Sequence, residues 1–226
     1  KITGLSGVGG LGTGDVMAGF DKDAFCSFGL KQASNAAMSE KAVREYVDAL
    51  NHLIKNHSRK LANTLVVHWF KEAMRPEDDP LSFLYEPPEL TEAAAQSSAR
   101  QILESLKRGQ RVVPVNNRYF AMTVSGAAGR VMVRDWMEGS FEELVARIGQ
   151  WFSDLEIVGQ KDGSLARDPR FNDVCLSMVR YDNNKSYFEN LKQLPAPTAT
   201  TLWRVALTGL PIPRPFISQA LIRFRN

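Results

Sequence analysis

The chain has 226 residues, 44% of them hydrophobic and 23% charged, with a formal net charge of +3. That balance belongs to a globular protein with a real core and excludes a disordered polyelectrolyte. No run of about 18 apolar residues occurs, which excludes a membrane-spanning helix, and two cysteines far apart, Cys26 and Cys175, offer no disulfide framework and fit a reducing, cytoplasmic setting.

The first residues lack an initiator methionine and the last lie inside "FISQALIRFRN", an unfinished helical pattern. Both ends suggest a piece of a longer protein, with no leader visible. The opening stretch "SGVGGLGTGD" places Gly7, Gly9 and Gly12 at the spacing of a dinucleotide-binding loop. That loop needs a strand before it and a phosphate-capping helix after it. Only Lys1 to Ser6 precede it, and "VMAGF" after it is short and broken by glycine. No Lys-Ser or Lys-Thr follows a glycine there, so a P-loop is excluded too. Residues 1–19 read as a flexible glycine-rich connector.

Ser39 caps a helix through "EKAVREYVDALNHLIKN", whose Val43, Tyr46, Val47, Leu50, Leu53 and Ile54 form one apolar stripe. "NTLVVHWF" reads as a buried strand interrupted by His68. "RPEDDPLSFLYEPPEL" reads as a proline-broken loop with solvated acids. The adjacent Asp78 and Asp79 are a poor metal signal there. Thr91 opens and Gly109 closes a helix over "EAAAQSSARQILESLKR". "RYFAMTVSG" and "GRVMVRDWM" form a β-hairpin around Gly126-Ala127-Ala128-Gly129. A period of two puts Arg130, Met132, Arg134 and Trp136 on one face of its second strand. Trp136 is expected in the core. Ser140 and Glu143 form a capping box for the next helix, whose Phe141, Leu144, Val145, Ile148, Trp151 and Phe152 face inward. "LEIVG" adds a possible edge strand.

Residues 160–170 are polar and turn-rich, a linker. From Phe171 the texture is helical: "FNDVCLSMVRY", "TATTLWRVALTG" and "RPFISQALIRFR" carry helical spacing, with "LTGLPIPRP" as a break. The fold class is therefore α+β: an antiparallel hairpin or sheet packed by helices over residues 20–159, then a mainly helical segment over 171–226.

Charge is unevenly spread. Acids dominate from Arg75 to Glu104; from Ser105 to Arg134 there are six bases (Lys107, Arg108, Arg111, Arg118, Arg130 and Arg134) and no acid. After Glu189 come five more bases, again with no acid. Such asymmetry points to a polyanion partner, and arginines beside an aromatic on a sheet face suit phosphates and stacked bases. No nucleophile has a base beside it, and the cysteines with His52, His57 and His68 give no metal-ligand spacing. No catalytic residue, metal or cofactor is assigned.

Several stretches together resemble one family. "GFDKDAFCSFGLKQASNAAMSEKA" is similar to the block S-F-N-x-x-A-F-x-S-Y-G-x-x-Q-x-x-N-A-P-V-S-E of the large subunit of the type I-C CRISPR surveillance complex, Cascade. Phe20, Ala24, Phe25, Ser27, Gly29, Gln32, Asn35, Ala36, Ser39 and Glu40 match it. "YVDALNHLI", "NTLVVHWF", "VRDWMEGSFEELVARIGQWFSDLEIVG" and "RVALTGLPIPRPFISQALIRFR" resemble later blocks in the same order. Asp21, Phe28, Ala37 and His68 depart from the pattern, which has Asn, Tyr, Pro and Phe there. The resemblance implies a central portion of a non-catalytic subunit, working with the other subunits of the complex, CRISPR RNA indirectly, target DNA and a helicase-nuclease effector. The basic runs then meet duplex or displaced single-stranded DNA through phosphates. Lys107, Arg108, Arg111, Arg118, Arg130 and Arg134 are the phosphate candidates. Gln32 and Asn35 are candidates for base-edge contact, against the plainer reading that they tie down a turn. An endonuclease processing CRISPR repeat RNA, with His68 as general base, and a purely structural scaffold are the alternatives.

Overall fold

The structure, a computed structural model, describes residues 4–20, 23–85, 94–108, 116–156, 158, 163, 166 and 168–225, with the backbone alone for residues 25, 27, 32, 77, 94–98, 106, 107 and 225. The architecture is α+β, as the sequence implies. In chain order the principal elements are α1 (Glu40–Asn56), β1 (Ser58–Leu61), β2 (Thr64–Phe70), α2 (Ser82–Tyr85), α3 (Ala94–Lys107), β3 (Arg118–Ala127), β4 (Arg130–Ser140), α4 (Phe141–Asp154), α5 (Phe171–Leu176), α6 (Tyr187–Leu191), α7 (Ala196–Thr208) and α8 (Arg214–Arg225). The strands form one antiparallel sheet in the order β1-β2-β3-β4.

The chain divides into two compact units. The first comprises residues 1–60, 64–68 and 122–136. Its helix α1 is capped as its sequence requires, with Ser39 Oγ accepting from the Ala42 N–H at 3.2 Å. Val47 and Ile54 are its buried anchors, and the rest of the stripe is half-buried. The glycine-rich opening is built rather than loose. Leu5 and Asp15 exchange two backbone hydrogen bonds, of 2.8 and 2.9 Å. The Val16 N–H donates to Gly129 at 2.8 Å, the Val131 N–H donates to Val16 at 2.9 Å, and the Gly126 N–H donates to Val8 at 2.8 Å. The side chain of Asn51 on α1 accepts from the Ser6 N–H and donates to the Gly4 carbonyl. Leu5, Val8 and Asp15 are buried. Glycine serves close approach here. A Cβ on Gly126 would stand 2.6 Å from the Gly10 nitrogen and 2.7 Å from the Asp15 carboxylate, and a Cβ on Gly10 would collide with the same carboxylate.

The β3–β4 turn is tighter than its four-residue sequence suggests. Ala128 and Gly129 alone make it, with φ of 50° and 81°, the left-handed pair of a two-residue hairpin. Strand β1 is the other departure. "SRKL" carries no alternation, and it forms because a two-residue turn with Ala62 at φ 51° folds it onto β2.

The second unit comprises residues 61–63, 69–121 and 137–226. Ser140 Oγ accepts from the Glu143 N–H at 3.2 Å and starts α4. All six residues expected to face inward on α4 are buried, and α4 packs on α3 and α7. Four rings lock the helical part: Tyr85 lies 5.4 Å from Trp203, Trp203 lies 5.4 Å from Phe171, and Phe171 lies 5.7 Å from Trp151. The proline-rich stretch is therefore not all loop, since α2 buries Phe83, Leu84 and Tyr85. Nor is its charge all solvated. Asp78 is buried and is held by Arg75 at 2.7 Å. Helix α6 has too little length for a readable period. Buried Asn190 makes it possible: its side chain donates to the carbonyls of Asp182, Lys185 and Ser186 and accepts from the Asp182 N–H. Thr91 and Gly109, the expected helix limits around α3, lie outside the described residues, as does most of the stretch 160–170. Val158 makes an isolated bridge where an edge strand was a possibility.

Candidate nucleic-acid interface

Three of the eight candidate side chains cannot be placed, because Arg111 and the side chains of Lys107 and Gln32 lie outside the described residues. The others fall on distinct elements. Arg130 and Arg134 stand on β4 in the first unit, Arg108 and Arg118 belong to the second, and Asn35 closes a short 3₁₀ turn (Gln32–Asn35).

The β4 pair is the best-formed group. β4 is the last strand of the sheet, and its outer side is bridged by Val16 at Arg130. Arg130, Met132, Arg134 and Trp136 are all exposed. Trp136 is 45% exposed, which corrects its expected place in the core. Burial along the strand is not a strict alternation either, because Val133 is also 45% exposed. Alternate residues of a strand advance about 6.6 Å, so the two arginines are set about 13 Å apart along it. Arg134 is oriented: its Nε–H donates to Ser125 Oγ on β3 at 2.8 Å. Ser125 is buried, so it fixes the root of the guanidinium of an exposed side chain. Such a fork accepts a phosphate in bidentate fashion.

Arg118 opens β3 in a different setting. Its guanidinium meets Glu138 at 3.1 Å and sits 5.9 Å from the centroid of Phe120. Phe120 stacks on Trp69 at 5.6 Å. The start of β3 is held by Asn117, which is fully buried. Its side chain accepts from the Glu72 and Arg118 N–H groups and donates to the Glu72 carbonyl. The Asn116-Asn117 pair in "VNNRY" gives no hint of that bracket. The Arg118–Glu138 pair is half exposed on both sides, and such pairs contribute only about 0–1 kcal/mol. Arg108 likewise meets Glu104 at 3.5 Å, one helical turn back.

Asn35 ties a turn: its Nδ2 donates to the Leu30 carbonyl at 3.2 Å. His68 is buried in β2 with 7% of its surface exposed. Among the described residues no three of His, Cys, Asp and Glu are grouped so as to hold a metal, and no helix is long and apolar enough to cross a membrane.

The geometry gives an edge strand carrying two exposed arginines and an exposed tryptophan, chemistry suited to phosphates and bases. Comparison with curated proteins finds no match. The family model described as CRISPR-associated protein (Cas_Csd1) matches residues 1–226, the whole of the chain. The match extends over every element described above: the chain belongs to the CRISPR-associated Cas_Csd1 family.

Proposed function

We propose that the chain is a central portion of the non-catalytic large subunit of a type I-C Cascade, and that it helps the assembled complex hold target DNA. Family membership supports a role in CRISPR defence alongside other proteins. The ordered resemblance of its sequence blocks supports the subtype, the setting in the cytoplasm and the hand-over to a helicase-nuclease effector. The observation that carries DNA binding is the exposed Arg130–Arg134 pair on β4, with Ser125 orienting Arg134. Guide pairing then reads sequence while these arginines hold backbone.

The test is target-DNA binding by the assembled complex carrying Arg130→Ala and Arg134→Ala, over a salt series. Two lost phosphate contacts should reduce the slope of log K against log salt by about 1.8. An unchanged slope with intact assembly would leave the scaffold reading standing. The endoribonuclease reading has less support, because a general base must reach its substrate and His68 is buried.

A further inference from the structure

Helix α8 carries an apolar stripe that the second unit does not cover. Ile217, Leu221 and Phe224 are spaced by four and three residues, which puts them on one face of a helix. They are 49%, 60% and 91% exposed. The helix is anchored from another face, where Gln219 Nε2 donates to the Met178 carbonyl at 2.7 Å. That bond holds α8 beside the segment after α5 and creates a groove between them. Val179 and Ala220 contribute to its apolar lining, and Tyr181, 53% exposed, is at its margin. Arg180 and Arg223 also line it, and among the described residues no acidic one does.

We propose that this groove docks an acidic amphipathic helix of a partner protein. The stripe has the i, i+4, i+7 spacing by which a helix offers anchors to another helix. Aliphatic side chains dominate it, and these reward burial against apolar knobs more than stacking by bases. The charge selects the partner's sign: two arginines beside an apolar floor attract carboxylates that flank the partner's own apolar face. A basic partner helix would bring like charges together as it lost water, and would be rejected. This docking site does not depend on the β4 arginines or on the DNA reading.

The test places a photo-crosslinking phenylalanine analogue at Leu221 in the intact protein, isolated in its native assembly, and sequences what it captures. The expected product is a segment of another protein with apolar residues at helical spacing flanked by Asp or Glu. Changing Arg180→Glu and Arg223→Glu should lower its yield about tenfold, as loss of a central anchor does, and Lys at the captured acids should restore it. Capture of nucleic acid, of another part of the same chain, of a segment without that pattern, or of nothing would overturn the proposal. So would a yield that charge reversal leaves unchanged. The altered residues are exposed, and an unchanged melting temperature checks that the variants fold.

Discussion

Arg134 donates through Nε to the Oγ of Ser125, 2.8 Å away on the neighbouring strand. One residue supplies charge and the other aims it. The two contributions should separate on substitution. Ser125→Ala keeps the charge and removes one hydrogen bond, so target-DNA affinity of the complex should fall only about 2- to 5-fold, with an unchanged salt slope. Arg134→Ala should lower the slope itself by about 0.9. Titrations at four or more salt concentrations read both.

Gly10 and Gly126 should be intolerant of side chains. Gly126→Ala drives a methyl group into the Gly10 backbone and the Asp15 carboxylate, at a cost of about 1–3 kcal/mol. Gly10→Ala should cost a similar amount. In an Asp15→Ala background the Gly10→Ala penalty should shrink, because the colliding carboxylate is gone. Urea unfolding of the four proteins of that cycle measures the coupling.

Trp203 is fully buried between Tyr85 and Phe171. Trp203→Ala should destabilise the second unit by about 3–5 kcal/mol. Thermal unfolding followed by near-UV circular dichroism would detect it, and an unchanged midpoint would remove the aromatic cluster from the core.

Asn117→Ala would strip the bracket at the start of β3 and leave the Glu72 and Arg118 N–H groups without that partner. About 1–3 kcal/mol should be lost, and amide exchange should quicken at residues 72 and 118 before it does elsewhere in β3.

Burial pushes the Cys175 thiol up from 9.0 to about 12. The folded state therefore favours the neutral thiol. Its contribution to stability is complete below pH 9, where the unfolded thiol is also protonated, and declines as pH rises from 9 towards 12. Cys175→Ser lacks that thiol, so its stability should fall less over that window. At pH 8 an alkylating reagent should modify the partly exposed Cys26 first and reach Cys175 only on unfolding.

The long elements were legible because their signals are local. Ser39 and Ser140 cap helices whose apolar stripes run for many residues, and "TVSG" to "GRVMV" folds back wherever a tight turn allows. What escaped was decided by distant partners. β1 exists because β2 offers it a ladder. α6 exists because Asn190 gathers carbonyls from the loop before it. Asp78 is buried because Arg75 reaches it. The opening glycines looked mobile because glycine permits mobility, yet here they allow backbone and carboxylate to pack without Cβ atoms between them. At the candidate interface, the arginines of β4 could be named from charge and period. Their orientation could not, since the bond from Arg134 to Ser125 joins different strands, and neither could the exposure of Trp136, which follows from β4 being the last strand of its sheet.

The four tryptophans are sorted by environment. Trp151 and Trp203 are sealed among other rings, Trp69 is partly covered, and Trp136 is open to solvent. The protein thus carries its own optical probe. Iodide should quench the long-wavelength emission of Trp136 and spare the buried pair, so a strand of DNA laid along β4 would announce itself as protection of that one fluorophore, without any label attached.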